Sequence, residues 1–275
     1  MTNEPNNEPL AEEENPVPEH FSSADFGDIP PEGTKLQPVA DPKKQKRRLI
    51  LLLVLVLLFL AIIAFRICSR AFDFYDRECK KLLFDYRQGE TVDELTEVEN
   101  GKRAKNLAEQ ITDGVALRAV LLGFTEQGDV SQTISAMDYS RSAGNEKLEV
   151  QTGTVDWLFT AKDVFRRQAG GQCEQAKGSS WSSVQEEALP PLYDYCFAVS
   201  PHDQVKLESF GSFMTTVGSK GYVCEIWLME QPGAGGTEYC TLYRYYQDDR
   251  LCAVRVLKSG SSLMEVYDIQ SYTLN

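Results

Sequence analysis

Few side chains in this sequence are suited to nucleophilic or acid–base chemistry. The 275 residues include two histidines, His20 and His202. His202 lies in a Ser-Pro-His-Asp sequence that is typical of a solvated turn. Cys196 is close enough in sequence to form a Cys–His nucleophile pair with it, but we favour the turn. The sequence therefore predicts no catalytic residue and a protein that is not an enzyme.

Two pairs of adjacent acids and one glycine-rich segment are the other chemical candidates. Glu186-Glu187 and Asp248-Asp249 lack the spacing that would indicate a glycosidase, and the second pair lies in a predicted hairpin turn. The glycines of 233–236 lie between two predicted strands, without the helix and Lys-Ser/Thr of a phosphate-binding loop. One histidine with scattered cysteines does not supply a metal site. We predict no metal and no cofactor.

Aromatic residues are frequent in the predicted strands, and all twelve tyrosines follow residue 70. Such residues either fill a core between sheet and helices, which we favour, or line a concave hydrophobic site. The candidates for lining a ligand site are Trp157, Phe159, Trp227, Tyr243 and Tyr245.

Six of the seven cysteines follow an apolar run that ends near Cys68. An even number in an oxidising compartment suggests disulfides, and no pair has C-x-x-C spacing. The disulfide candidates are Cys79, Cys173, Cys196, Cys224, Cys240 and Cys252.

The predicted strand register limits how these thiols can pair. A turn centred on 231–236 pairs residue 230 with 237, which sets Cys224 opposite Tyr243 and Cys240 opposite Trp227. The next turn sets Cys252 opposite Tyr245. Cys224 and Cys252 then share a face two strands apart, and Cys240 points to the other face. Since a disulfide needs Cα atoms within about 7 Å, these three are not expected to bridge one another. Each either bridges to Cys79, Cys173 or Cys196 or stays free.

The hydrophobic period predicts helices followed by strands. A 3-4 spaced apolar stripe predicts a helix ended by Gly89, packed on the core rather than forming a dimer seam. Thr91 and Glu94 form a capping box for a second helix, and a helical pattern resumes from Ala104 to Ile111. The stripe contains Phe72, Tyr75, Cys79, Leu82 and Tyr86, and the second helix would use Val92, Leu95 and Val98.

Beyond residue 115 the period becomes two, which is typical of strands. A loop is predicted over 169–184, a short helix after Pro190-Pro191, and an antiparallel meander at the end. The predicted strands are Val115–Phe124, Gln132–Ser140, Lys147–Gln151, Thr154–Thr160, Asp163–Arg167, 205–210, 222–230, 237–246, 250–258 and 263–274. The fold class is α+β, with N-terminal helices packed on a curved antiparallel sheet.

An apolar run from Leu49 to Phe65 indicates a transmembrane helix over 49–68. Seventeen residues give about 25 Å of helix, and flanking arginines can extend the span. The basic flank of 43–48 holds five Lys or Arg residues, so the positive-inside rule places the N-terminus in the cytoplasm and 70–275 outside. No small-x-small cleavage pattern follows, which favours a retained signal anchor.

Residues 1–42 carry a net charge of −9 and eight of the twelve prolines, which predicts a disordered acidic cytoplasmic tail. The outer domain, 70–275, carries −10, so nucleic acid is not an expected partner. The chain has no N-x-S/T sequon, in keeping with a bacterial plasma membrane protein.

The order of elements over 70–275 resembles the bacterial lipoprotein-carrier family. The similar features are helices, strand pairs, a short helix, the strand sequence Lys220–Ile226 and the final strand containing Met264–Ile269. The resemblance implies a curved antiparallel half-barrel covered by helices, with lipid or acyl chains bound in its concavity.

Three functions follow as hypotheses. We favour a membrane-tethered, non-enzymatic envelope protein that binds a hydrophobic ligand or a protein partner. The alternatives are a transmembrane signalling or scaffolding protein, and an envelope hydrolase that uses carboxylates.

Overall fold

The computed structural model describes residues 42–92, 101–143, 145–160, 162–168, 171–176, 191–202, 204–233 and 236–275. The tail 1–41, Leu95 and Val98 of the predicted second helix, Glu186-Glu187 and much of the predicted loop 169–184 lie outside the described residues. The chain separates into two units that meet in sequence at Leu55–Val56. The architecture below is that of the second unit.

The first element is a long helix, α1, at Pro42–Cys79. Among the described residues, its Lys46–Cys79 segment is the one helix long and apolar enough to cross a membrane, by length and composition. The apolar side chains of Leu49–Phe65 are exposed along it. The predicted membrane helix therefore exists as a helix, and it extends eleven residues beyond the predicted end at residue 68.

The described residues contain twelve antiparallel strands: β1 Glu90–Val92, β2 Gly114–Thr125, β3 Val130–Ser142, β4 Asn145–Gln151, β5 Val155–Thr160, β6 Val164–Gln168, β7 Glu174–Gln175, β8 Lys206–Val217, β9 Lys220–Gly233, β10 Gly236–Gln247, β11 Arg250–Lys258 and β12 Leu263–Leu274. They form a single sheet in the order β1-β8-β9-β10-β11-β12-β2-β3-β4-β5-β6-β7. The predicted α+β class and the predicted C-terminal meander are confirmed.

Two meanders make up this sheet, β2–β7 and β8–β12, each in chain order. The last strand, β12, joins them, because it pairs with β11 on one side and with β2 on the other. The strand β1 adds to the free side of β8.

Each face of the sheet buries its own apolar cluster. The helix face packs against α2, Lys102–Glu109, and α3, Leu192–Cys196. The connector face packs against the end of α1 and the connector, which we define as Lys80–Gly89 and which contains a 3₁₀ helix at Tyr86–Gln88. Side chains alternate between the two clusters along each strand.

At its β1 end the sheet curls toward the connector face. Strand β11 lies four strands from β1, which would be about 19 Å across a flat sheet. Yet Arg255 Nη1 of β11 lies 3.3 Å from Glu90 Oε2 of β1. The two side chains are too short to bridge a flat sheet, so the strands wrap around the connector.

The first predicted outer helix ends earlier than expected. It ends at Cys79 rather than near Gly89, because the backbone N–H groups of Leu83 and Phe84 donate to the buried Asp268 carboxylate instead of to a preceding helical turn. This turns Phe84 into the sheet, where it is fully buried.

The prediction of a second helix opening at Thr91 was wrong. Thr91 lies in β1 and pairs with Thr216, and its carbonyl accepts a hydrogen bond from the Thr215 hydroxyl. The strand expected at 205–210 runs on to Val217 through a bulge between Ser209 and Gly211.

The predicted register of the meander was also wrong, by two residues. Strands β9 and β10 continue to Gly233 and Gly236, so Glu230 pairs with Tyr239 rather than with residue 237. Cys224 consequently lies opposite Tyr245, and Cys240 opposite Met229. Cys252 falls at a bulge of β11, where Tyr245 pairs with Ala253 and Tyr246 with Leu251. The predicted faces are unaffected, because a shift of two residues preserves the alternation.

Candidate functional site

An open groove of about 790 Å³ crosses four neighbouring strands, β8 to β11. Three consecutive residues at each strand line it, with Ser259 directly after the end of β11, and Pro201 completes the lining: Lys206–Glu208, Leu228–Glu230, Tyr239–Thr241 and Leu257–Ser259. The central residues Leu207, Met229 and Cys240 are buried in the cluster of the helix face. The outer residues of each triplet therefore place their side chains on the connector face.

The groove mixes exposed apolar side chains with polar and charged ones, among them Glu208 opposite Leu228. Leu228, Tyr239 and Leu257 are 41%, 56% and 36% exposed, so three large apolar side chains lie open on one side of the sheet. At the rim, Lys206 Nζ donates to Glu230 Oε1 at 2.8 Å. Sites for small molecules are typically clefts of this size, with an apolar lining and a few polar groups.

One row of side chains separates the groove from the connector. Going inward along the strands, the next row contains Ile226, Tyr243 and Arg255. The Arg255 guanidinium lies over the Tyr243 ring at 4.0 Å, and Nη1 donates to the Tyr86 hydroxyl at 2.7 Å. Glu90 completes this layer as the ion-pair partner of Arg255 and the acceptor of the Thr215 hydroxyl at 3.1 Å.

Beyond that row the connector fills the inner part of the face. The Phe84 ring lies 4.7 Å from Tyr245 and 5.1 Å from Tyr222, measured between ring centroids. Asp268 Oδ1 accepts hydrogen bonds from the backbone N–H of Leu83 at 3.1 Å and of Phe84 at 2.6 Å. Burial outweighs these donors and raises the pKa of Asp268 to about 6.

More polar contacts hold the connector from other strands. Lys220 Nζ of β9 donates to the Leu83 carbonyl at 3.1 Å, and Gln270 Nε2 of β12 donates to the Lys81 carbonyl at 3.1 Å. At the far end of the connector, the Gly218 N–H donates to the Gly89 carbonyl. The connector is therefore anchored along its length.

The five aromatic residues predicted to line a ligand site do not come together. Trp227 and Phe159 are buried in the cluster of the helix face, and Trp157 packs against it. Tyr245 is buried in the cluster of the connector face, and Tyr243 packs against that cluster. None of the five lines the groove. On the connector face, Tyr243 lies one row inward of the groove. A ligand-lining role for the five aromatic residues stays a prediction.

All seven cysteines are free thiols, so the structure does not support the predicted disulfides. Cys224 is buried on the connector face and Cys252 packs against the same cluster, whereas Cys240 and Cys196 are buried on the helix face. Cys79 packs on the connector face and Cys173 is exposed. The predicted separation of Cys224 and Cys252 from Cys240 is confirmed.

The histidine identified in the sequence pairs with a carboxylate rather than with the cysteine. His202 Nε2 lies 2.9 Å from Asp194 Oδ1, and burial raises the pKa of that aspartate. Cys196 is fully buried and burial raises the pKa of its thiol to about 12, which makes it a poor nucleophile. Within the described ranges, no three His, Cys, Asp or Glu side chains are grouped as a metal site would require.

Three buried charges were missed by the sequence reasoning. Glu225 accepts from the N–H groups of Arg103 and Ala104 at the start of α2, and Arg244 donates to three carbonyls in and after α3. Asp268 holds the connector. Each is a charged residue with an apolar or aromatic neighbour on both sides in its strand, a pattern that could have marked them.

No protein-family model matches the chain, and no curated protein matches it. Among solved structures, the chain is similar to a putative outer membrane lipoprotein-sorting protein domain from Vibrio parahaemolyticus. The match covers 64% of this chain and 92% of that domain, with 8% identity and a TM-score of 0.34. The resemblance drawn from the order of elements is thus confirmed as a weak one, and it concerns the fold alone.

Proposed function

We propose that this chain is a membrane-tethered, non-enzymatic envelope protein that binds an apolar chain, such as a fatty acyl group, in the groove across β8–β11. The observation that carries the proposal is the exposure of three large apolar side chains in one groove, those of Leu228, Tyr239 and Leu257. Such side chains are costly to leave in water, at about 25 cal/mol for each Å². The groove spans about 14 Å across four strands, which suits an elongated ligand.

The membrane supplies the context for such a ligand. Residues 49–68 span the bilayer as a signal anchor, with the basic flank of 43–48 on the cytoplasmic side and 70–275 outside. A domain tethered beside a bilayer has acyl chains within reach. At the rim of the groove, the charges of Lys206 and Glu230 pair with each other.

The experiment is photo-crosslinking on the full-length protein in lipid nanodiscs, with a diazirine-bearing hexadecanoic acid as the probe. We expect adducts on Leu228, Tyr239 or Leu257, read by peptide mass spectrometry. Adducts on Leu49–Phe65 report contact with the bilayer in every sample and serve as the internal reference.

A matched pair of variants tests the location. Leu228→Glu places a charge on the groove floor and should lower groove adducts about tenfold, because a buried unpaired charge is unfavourable. Leu263→Glu changes a similarly exposed leucine that does not line the groove and should leave them unchanged. Adducts confined to the membrane helix in the unsubstituted protein would reject the proposed function.

A further inference from the structure

The connector occupies the continuation of the groove. From the groove row of Leu228 to the row of Cys224 is four residues along β9, or about 13 Å, and both rows belong to the connector face. The groove row is open, whereas the inner row is covered by Phe84. Between them lies the row of Ile226, Tyr243 and Arg255, in which Ile226 and Tyr243 pack against the cluster of the connector face.

Phe84 fills a site built from sheet residues, with Tyr86 of the connector stacked beside its ring. It contacts Tyr222 of β9 and Tyr245 of β10, and its N–H is held by Asp268 of β12. Its side chain is fully buried, while the adjacent Leu83 is 46% exposed. A single aromatic side chain thus enters the sheet in the way that an apolar ligand would.

The layer between the groove and Phe84 is polar and incompletely bonded. Arg255 bonds to Tyr86 of the connector and to Glu90, but its buried Nε has no hydrogen-bond partner among the described residues. A layer that shares the connector's Tyr86 can rearrange when the connector moves.

From these contacts we infer that the Phe84 site is a second, inner subsite for the apolar chain, held in the unliganded protein by the connector. The inference rests on the proposed function. A short chain fills the outer groove alone, whereas a long chain passes the Arg255 row and displaces Phe84. Binding of a long chain therefore competes with docking of the segment that directly follows α1.

The free thiols provide built-in reporters for this displacement. Cys224 lies under the connector and is fully buried, so a maleimide reaches it only when the connector leaves. Cys196 is equally buried on the helix face, does not line the groove, and reports general unfolding instead.

The test measures N-ethylmaleimide labelling of each cysteine in the full-length protein in nanodiscs, with octanoic or hexadecanoic acid added. Hexadecanoic acid should raise the labelling rate of Cys224 about tenfold, while octanoic acid should not. Labelling of Cys196 should stay unchanged with both. An equal rise at Cys224 and Cys196 would overturn the inference, because it would show unfolding.

Phe84→Ala and Phe84→Leu remove or reduce the internal occupant. Both should strengthen crosslinking of the hexadecanoic acid probe, by about tenfold for the alanine variant. Phe197→Ala, an equal truncation on the helix face, should not. If the alanine variant does not fold, crosslinking of the hexadecanoic acid probe is measured on Phe84→Leu instead.

The two proposals fail differently. If no groove adduct forms in any variant, the proposed function fails and this inference with it. Adducts in the groove could instead form while Cys224 is labelled at the same rate with octanoic and hexadecanoic acid, and crosslinking is the same in the wild type and the Phe84 variants. That result would reject the inner subsite and leave the proposed groove site intact.

Discussion

At the scale of single residues, three buried charges tie the sheet to the segments outside it. Asp268 bonds the connector, Glu225 bonds the first turn of α2, and Arg244 bonds the carbonyls of α3. Each satisfies backbone groups that no helix or strand could satisfy. A charge with fixed hydrogen-bonding directions fixes where a segment docks more strictly than apolar packing does.

Asp268 should make stability depend on pH. Its pKa of about 6 in the folded protein exceeds the ordinary value of 3.8, so the folded state holds the proton more tightly than the unfolded state. The stabilisation is present below pH 4 and is lost as the pH rises through 6, by about 3 kcal/mol. Urea unfolding between pH 4 and 7 gives the free energy of unfolding of the wild type and of Asp268→Asn. The wild-type value minus the variant value should fall with rising pH. A difference independent of pH would contradict the raised pKa.

At the scale of elements, local patterns predicted the strands well and the ends of helices poorly. The alternation of apolar and polar residues in 222–274 is a local property of the sequence, and the strands it predicts are present. The end of α1 depends on Asp268, almost two hundred residues away, and no local signal shows that contact. The Thr91–Glu94 capping box is likewise a good local helix start, but pairing of β1 with Val217 overrides it.

The groove could not be predicted either, because it too depends on contacts between residues that are distant in sequence. Its floor residues alternate with core residues as in any half-buried strand, and only the curl of the sheet and the end of the connector leave Leu228 and Leu257 uncovered. The predicted aromatics were chosen by type, and large aromatic side chains on strands are most often core.

Glu225 should be necessary for α2. Gly101, at φ 68°, lies so close to Trp227 that a Cβ atom would be 2.9 Å from the ring, which seats the start of the helix on β9. Glu225→Ala leaves two N–H groups of that start unsatisfied and should cost about 1–3 kcal/mol. Glu126→Ala, in an exposed turn, should cost less than about 0.5 kcal/mol. Equal losses in urea unfolding would show that the contact does not stabilise α2.

At the scale of the whole molecule, one strand holds two meanders together. Proline at Val266 removes a ladder hydrogen bond at the centre of the sheet and should cost about 3 kcal/mol or more. Proline at Gln175, in the two-residue edge strand β7, should be tolerated. Thermal unfolding gives the melting temperature of each variant. Similar melting temperatures would show that the two meanders are stable without intact pairing along β12.

The central place of β12 also bears on how the protein is made. A chain synthesised from its N-terminus delivers the β2–β7 meander first, with the outer side of β2 bare. That edge gains its partner only when β12 has left the ribosome. Until then β2 is open to pairing with another chain, so the hazard of aggregation is greatest during synthesis and falls when Leu263–Leu274 arrives.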